Sequence, residues 1–193
     1  MAARGFTLVE MMMAVVIIGV IAALAAPNIT GLYRRMSLAA LSRQLNSAFV
    51  TTQGLATAKG QKHCILLSKV DQRWSIREDS NDDSVCDPTD KLLHVYPPEG
   101  GSMPGDIGLG PASGSTPAFP APYSSIAHNS WCSLVAGSAN TASVVFDIDG
   151  RIIDTNDAPQ NGSVMVTDSK SGAIKAVVFV GATGNIRTFD MQE

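Results

Sequence analysis

The 193-residue chain predicts an α+β fold: a long amino-terminal helix packed on the antiparallel β-sheets of a globular head. Three observations predict it. Phe6 to Ala26 is 21 residues long and uncharged except for Glu10. From Leu32 to Ala56 apolar residues recur at helical spacing. Beyond Lys59, short apolar or alternating runs are separated by turn-forming residues, the pattern of half-buried strands.

In chain order, residues 1–5 carry one basic residue, Arg4, and 6–26 form an apolar helix long enough to cross a bilayer core of roughly 30 Å. A secretory signal peptide is the rival reading, with "ALAAP" as its cleavage site. Glu10 weakens it, because a signal needs no carboxylate at the start of its apolar region. An unpaired carboxylate in a membrane costs about 2.5–3.5 kcal/mol at the centre and less near the edge. Glu10 is therefore either an edge residue reaching for water or a residue retained for a partner.

Residues 27–193 make up the amphipathic half of the helix and the head. Leu32, Met36, Ala39, Leu41, Leu45, Ala48, Phe49, Thr52, Leu55 and Ala56 form one apolar stripe. A single helix from Phe6 to Lys59 would measure roughly 80 Å at about 1.5 Å per residue. Pro27 and Gly31 are its expected weak points. The strands expected downstream are "HCILLSK", "WSIRE", "KLLHVY", "SVVFDI", "RIID", "SVMVT", "IKAVVFV" and "IRTF". Asp149-Gly150 marks a two-residue hairpin with both central positions at positive φ. Lys170 to Gly172 and Thr183 to Asn185 mark further reversals. The Pro/Gly/Ser/Ala-rich stretch from Pro97 to Asn129 is a long loop, read as a variable insertion or a partner-contact surface.

A net charge of −3, from 14 basic and 17 acidic residues, argues against a general nucleic-acid binder. The charge is segregated: eight Lys/Arg face one acid between Thr30 and Arg77, and twelve acids face two bases between Glu78 and Asp157. Three cysteines are too few for a disulfide scaffold and lack zinc-site spacing. Outside the cytoplasm, one bridge and one thiol is the expected arithmetic. Cys86 and Cys132 both fall in loop-like sequence and are the expected pair, while Cys64 reads as a buried strand residue.

The stretch "RGFTLVE" resembles the processing site of type IV prepilins and type II secretion pseudopilins. The likeness runs on through Gly19 and Pro27, placed where such pilins carry a glycine and a proline. It implies a pilin fold, cleavage by a prepilin peptidase between Gly5 and Phe6, and methylation of the new Phe6 amine. It also implies a partner for Glu10, the Phe6 amine of a neighbouring subunit, which would set helix register during assembly. The charge rule leaves topology open, since Arg4 flanks one side of the run and Arg34 and Arg35 the other. A cytoplasmic amino terminus comes from the resemblance alone.

The stretches "LSRQLNSAFVTTQGLATAKGQKHCILL", "VVFDIDGRI" and "VVFVGATGNIR" are similar to the head of GspH-type pseudopilins and FimT/FimU-type minor pilins, two small sheets packed on the helix. This implies a single-pass inner-membrane precursor with a periplasmic head that joins a filament tip or priming complex of a type IV pilus. Implied partners are other minor pilins, major pilin subunits, the prepilin peptidase and the inner-membrane assembly platform. A pseudopilin of the type II secretion tip is the neighbouring reading.

FimT-type members bind DNA through glycine-arginine-any-arginine near the carboxyl terminus. The matching positions here are Gly184, Asn185, Ile186 and Arg187, so Asn185 stands where an arginine is expected and Arg187 remains as a weak DNA contact. Asp147, Asp149, Asp154, Asn156 and Asp157 offer calcium-type oxygens but lack the glycine and glutamate positions of an EF-hand loop, and hairpin chemistry accounts for them. "SNDDSVCDPTD" reads as a solvated turn. His63, His94 and His128 are scattered, Ser130 lacks a nucleophile elbow, and there is no phosphate-binding glycine loop. No cofactor, metal or catalytic residue is therefore expected.

Overall fold

The computed structural model describes residues 7–98, 100–110, 119, 123, 126 and 140–191, with side chains 24–28 of the helix excepted. Helix α1 spans Leu8–Lys59. It contributes to two compact units, Met1–Met36 and Ser37–Glu193.

In the first unit, Leu8, Val9, Met11, Val15, Val16 and Ile18 are each at least 60% exposed, so none of the described residues covers the apolar run. No helix among the described residues is long and apolar enough to cross a membrane. The expected span covers residues 6–26, of which residue 6 and the side chains of 24–26 lie outside the described residues. Helix is assigned through Pro27 and Gly31.

In the second unit, α1 buries Leu38, Leu41, Leu45, Ala48, Phe49, Thr52 and Ala56, a stripe at three- and four-residue spacing. Leu32 and Met36, expected to extend it, are exposed. Thr52 is accommodated because its hydroxyl donates to the Ala48 carbonyl at 2.7 Å. The helix stops at Gly60, whose φ of 63° suits an αL cap and whose N–H donates to the Ala56 carbonyl at 3.0 Å.

The strands are β1 (His63–Ser68), β2 (Arg73–Glu78), β3 (Lys91–Tyr96), β4 (Ile107–Leu109), β5 (Thr141–Phe146), β6 (Ile152–Ile153), β7 (Gly162–Asp168), β8 (Ile174–Val180) and β9 (Asn185–Met191). They form two sheets, in the order β3-β2-β1-β5-β6 and β4-β7-β8-β9, with antiparallel pairing. All eight expected strands are present. The ninth, β4, lies inside the stretch read as a featureless loop. It is only three residues long and has tertiary support: its Leu109 N–H donates to Gln72 Oε1 at 2.6 Å, across from the turn after β1.

Phe49 stands where helix and both sheets meet. Its ring is 6.2 Å from Phe146 of β5, edge-on, and 5.6 Å from Phe179 of β8, stacked. Leu41, Leu45, Ile65, Leu67, Trp74, Val144, Val164 and Val177 complete this core. Strand β7 is buried on both faces, because Met165 points away from the helix into a second cluster with Phe119, Tyr123, Ala176 and Val178. Phe119, Tyr123 and Ile126 thus place part of the Pro97–Asn129 stretch on the outer face of the second sheet.

The Asp149-Gly150 reversal differs from its expected form. Gly150 has a φ of 76°, whereas Asp149 is not among the positive-φ residues. Gly150 N–H donates to the Asp147 carbonyl at 2.8 Å and Asp147 N–H to the Arg151 carbonyl at 2.9 Å. This is a longer loop in which a turn is followed by one left-handed glycine. A Cβ on Gly150 would lie 3.0 Å from Thr57 Cγ2 of α1, and Gln53 of α1 donates from Nε2 to the Gly150 carbonyl at 2.7 Å and to the Gly184 carbonyl at 2.9 Å. A Cβ on Gly184 would lie 2.4 Å from the Gly150 oxygen. One helix side chain therefore ties a turn of each sheet.

Replacing Phe49 with Ala removes the ring shared by the helix and both sheets. The expected loss is about 3–5 kcal/mol, read from the urea midpoint of the purified chain.

Candidate functional site

Two regions carry the candidate functional residues, the start of α1 and the loop between β2 and β3. At the helix start, Thr7 is the N-cap. Its Oγ1 accepts the Glu10 N–H at 3.3 Å, while Glu10 Oε2 accepts the Thr7 N–H at 3.1 Å and the Thr7 hydroxyl at 3.2 Å. This reciprocal pair is a capping box, threonine followed three residues later by glutamate. It holds the carboxylate against the first turn of the helix. The Thr-x-x-Glu spacing is legible in the sequence, where Glu10 reads as an edge residue reaching for water or as one retained for a partner, and the cap is a third role.

Gly5 and Phe6 lie outside the described residues. Gly19 sits on α1, and beyond the helix's own neighbouring backbone no atom of the described residues lies within 4 Å of where its Cβ would be. Pro27 is within the helical assignment, and its side chain is outside the description.

The expected disulfide is corrected. Cys86 is bonded to Cys64, with Cα atoms 5.8 Å apart, and not to Cys132, which lies outside the described residues. Cys64 is indeed a buried strand residue, on β1. Its side chain leaves the sheet on the face opposite Ile65 and Leu67, where it joins Cys86, Val145 and Ile153. Alternation along the strand, not loop character, decided the partner.

The bridge anchors the loop from Asp79 to Asp90, which is only partly the solvated turn that the sequence suggested: Asn81, Asp82 and Asp83 are exposed, while Asp79, Ser84, Cys86 and Asp90 are buried. Asp79 Oδ2 accepts the Ser84 N–H at 3.0 Å. Asp90 accepts the Ser80 N–H at 3.3 Å and the Asp87 N–H at 3.0 Å. Burial pushes the Asp79 carboxyl up; the Ser84 and Asp82 N–H groups oppose this, and the charges of Asp90 and Asp83 add to it. Arg77 holds the far end by donating to the Pro88 and Asp90 carbonyls at 3.1 and 2.8 Å.

Lys62 closes the near end, with its Nζ 3.2 Å from Asp82 and 3.0 Å from Asp157 and donating to Ser84 Oγ at 2.8 Å. Burial pulls the Lys62 ammonium down, but hydrogen bonds and charges from Asp157 and Asp82 outweigh it and the net shift is upward. Asp157 is held below its ordinary value, chiefly by the Ser84 hydroxyl and then by Lys62. Glu78 is lowered likewise, by Lys59 and Lys91.

The acids of the β5–β6 region make ordinary hairpin contacts. Asp147 and Asp149 pair with Arg151 at 2.9 and 3.3 Å, and Asp154 accepts the Asn156 and Ala158 N–H groups. Among the described residues, the single trio of His, Cys, Asp or Glu side chains with ligand atoms mutually within 4.8 Å is Cys64, Cys86 and Asp90. Its sulfurs are bonded to each other and are not thiolate ligands.

Arg187 is an exposed residue of β9, opposite Val178, and Gly184 is the turn glycine tied to Gln53. Of the histidines, His63 is buried with Nδ1 2.9 Å from the Gln61 carbonyl, His94 is exposed on β3, and His128 lies outside the described residues. A groove of about 520 Å³ separates α1 from β2 and β3 over the stacked rings of Trp74 and Tyr96.

Residues 1–26 match the family model of the prokaryotic N-terminal methylation motif. The match supports a type IV pilin-like protein of the prepilin-processed kind. No curated protein and no solved structure matches the chain.

Two outcomes follow from the loop. A non-reducing digest will give a linked Cys64–Cys86 peptide, and Cys64→Ser will free Cys86 for alkylation, with a loss of about 2–4 kcal/mol in the urea midpoint. For the lowered carboxylates the sign is fixed: their stabilisation is complete above the unfolded pKa and is lost as pH falls through the folded one. Asp157→Asn will therefore lower the urea midpoint slightly at pH 7, and its difference from wild type will shrink as the pH is lowered below the unfolded carboxylate value.

Proposed function

We propose that the chain is a non-catalytic minor pilin of a type IV pilus. A prepilin peptidase cuts it between Gly5 and Phe6 and methylates Phe6, and the product enters a tip or priming complex that initiates assembly. The single observation that carries this reading is the methylation motif over residues 1–26, with Glu10 at its fifth mature position. The head supports the finer GspH/FimT/FimU-type assignment by its architecture, a helix covered by two small antiparallel sheets.

The precursor is held by the inner membrane with its head in the periplasm. On assembly its exposed apolar helix exchanges that setting for neighbouring pilin helices. The apolar surface at 8–23 needs such cover, since a patch this large is costly in water. Glu10 then acts twice: its capping box keeps the first turn helical in the free subunit, and its charge selects register against a neighbour's Phe6 amine. Loss of the leader removes Arg4 and leaves 13 bases against 17 acids, a balance of −4. The basic stretch around Arg34, Arg35 and Arg43 and the acidic loop 79–90 suit contacts with unlike neighbours, other minor pilins and the major pilin. DNA binding is the weaker alternative, since Arg187 stands beside Asn185 where the resemblance expects a second arginine.

The charge and the cap can be separated. Glu10→Gln keeps a side chain that can complete the box but removes the charge, whereas Glu10→Ala removes both, at a cost of about 0.5–2 kcal/mol to the helix start. Both variants are expected to lower the amount of surface pili at least tenfold, measured in sheared filament fractions. Wild-type piliation in Glu10→Gln contradicts the register role, and unchanged piliation together with failed protein export in both variants assigns the chain to a type II pseudopilus instead.

A further inference from the structure

The loop between β2 and β3 has a pattern of oxygen-bearing side chains that its net charge, the property used for subunit contacts, does not explain. Its twelve residues, "DSNDDSVCDPTD" from Asp79 to Asp90, hold five carboxylates and no basic side chain. Numbered from Asp79, acids or amides fall at positions one, three, five, nine and twelve: Asp79, Asn81, Asp83, Asp87 and Asp90. Those positions, with the carbonyl at position seven, supply the oxygens of an EF-hand calcium loop. Position six, where such loops need a sharp turn, is Ser84 at a φ of 58°, a value that usually selects glycine.

Spacing and charge alone would not make a site. The independent observation is Asp79. It is 6% exposed, its Oδ1 is buried without a hydrogen-bond partner, and its Oδ2 receives the Ser84 N–H from the middle of the loop. The carboxylate is therefore directed into the loop with one oxygen unsatisfied. A buried polar atom of this kind calls for an explanation such as a bound ion. Among the described residues no ion pair reaches Asp79, Asp83, Asp87 or Asp90, while Lys62 is engaged with Asp82 and Asp157. The arrangement is buried at Asp79 and Asp90 and open at Asn81 and Asp83.

We propose that residues 79–90 bind a calcium ion, with Asp79, Asn81, Asp83 and Asp90 as side-chain ligands and the Val85 carbonyl at position seven. Calcium fits better than magnesium, which keeps most of its waters and takes few protein ligands. The three carboxylates Asp79, Asp83 and Asp90 are not gathered within 4.8 Å of one another, so binding draws the exposed Asp83 side toward the buried end. Asp90 stands where glutamate is usual and is one methylene shorter. Affinity is therefore expected in the range of extracellular modules, on the order of 10⁻⁴–10⁻³ M. Cys86, at the position of an inward apolar residue, is bonded to Cys64, so the ion would brace a loop already tied to β1.

The test uses the full chain purified in mild detergent. Thermal unfolding is compared in EGTA and in 10 mM CaCl2, with NaCl at matched ionic strength as control, and CaCl2 is titrated calorimetrically. Calcium is expected to raise Tm by about 3–10 °C. Asp79→Asn keeps an acceptor for Ser84 while removing the buried charge; it is expected to melt no lower than wild type in EGTA and to lose the calcium increment. Should that variant fold poorly, Asp83→Asn is exposed and is expected to weaken binding at least tenfold, while Asp149→Asn, in the other acidic hairpin, leaves it unchanged. No increment in wild type, an equal increment from NaCl, retention of binding in both loop variants, or equal loss in Asp149→Asn overturns the proposal.

Discussion

The head depends on one contact, the Phe49 ring set between Phe146 of one sheet and Phe179 of the other. Two sheets of five and four strands need a common apolar surface, and the second half of α1 supplies it. Aromatic pairs at these distances add about 0.5–1.5 kcal/mol to their area burial. Their larger effect is geometric, since one rigid ring fixes the distance of both sheets from the helix. Gln53, one residue beyond the next turn of the same face, does the polar equivalent by donating to Gly150 and Gly184.

Once the inner faces are committed to the helix, the outer faces need cover, and each sheet obtains it from sequence that looked irregular. The second sheet is covered by Phe119, Tyr123 and Ile126. The first receives Cys86, bonded to Cys64 beside Val145 and Ile153. The loop that delivers Cys86 also brings Asp79 and Asp90 into low exposure, which is why a run of aspartates there has different physics from the run around Asp149. In the latter, Arg151 and backbone N–H groups satisfy the carboxylates. In the former, one oxygen has no partner.

The amino-terminal unit follows a different constraint. Its helix is stabilised locally by the Thr7–Glu10 box, while its apolar side chains from Leu8 to Ile21 have no cover among the described residues. A helix that is apolar over so much of its surface belongs among lipids or other helices. This agrees with the processing motif matched over residues 1–26.

Sequence by itself determined the element types. The change from a 3.6-residue to a two-residue period, the turn glycines and the uncharged run were all local signals, and they located α1 and eight strands. It also carried Glu10 within a recognisable motif. Tertiary structure decided whatever depends on which faces meet. Strand β4 is three residues long, too short for a periodic signal, and exists through pairing with β7 and support from Gln72. The disulfide went to Cys64 because strand alternation turns that side chain away from the helix toward the loop. The buried, half-satisfied Asp79 could not be told from its exposed neighbours by composition, since burial is a property of what folds over a residue and not of the residue's own identity.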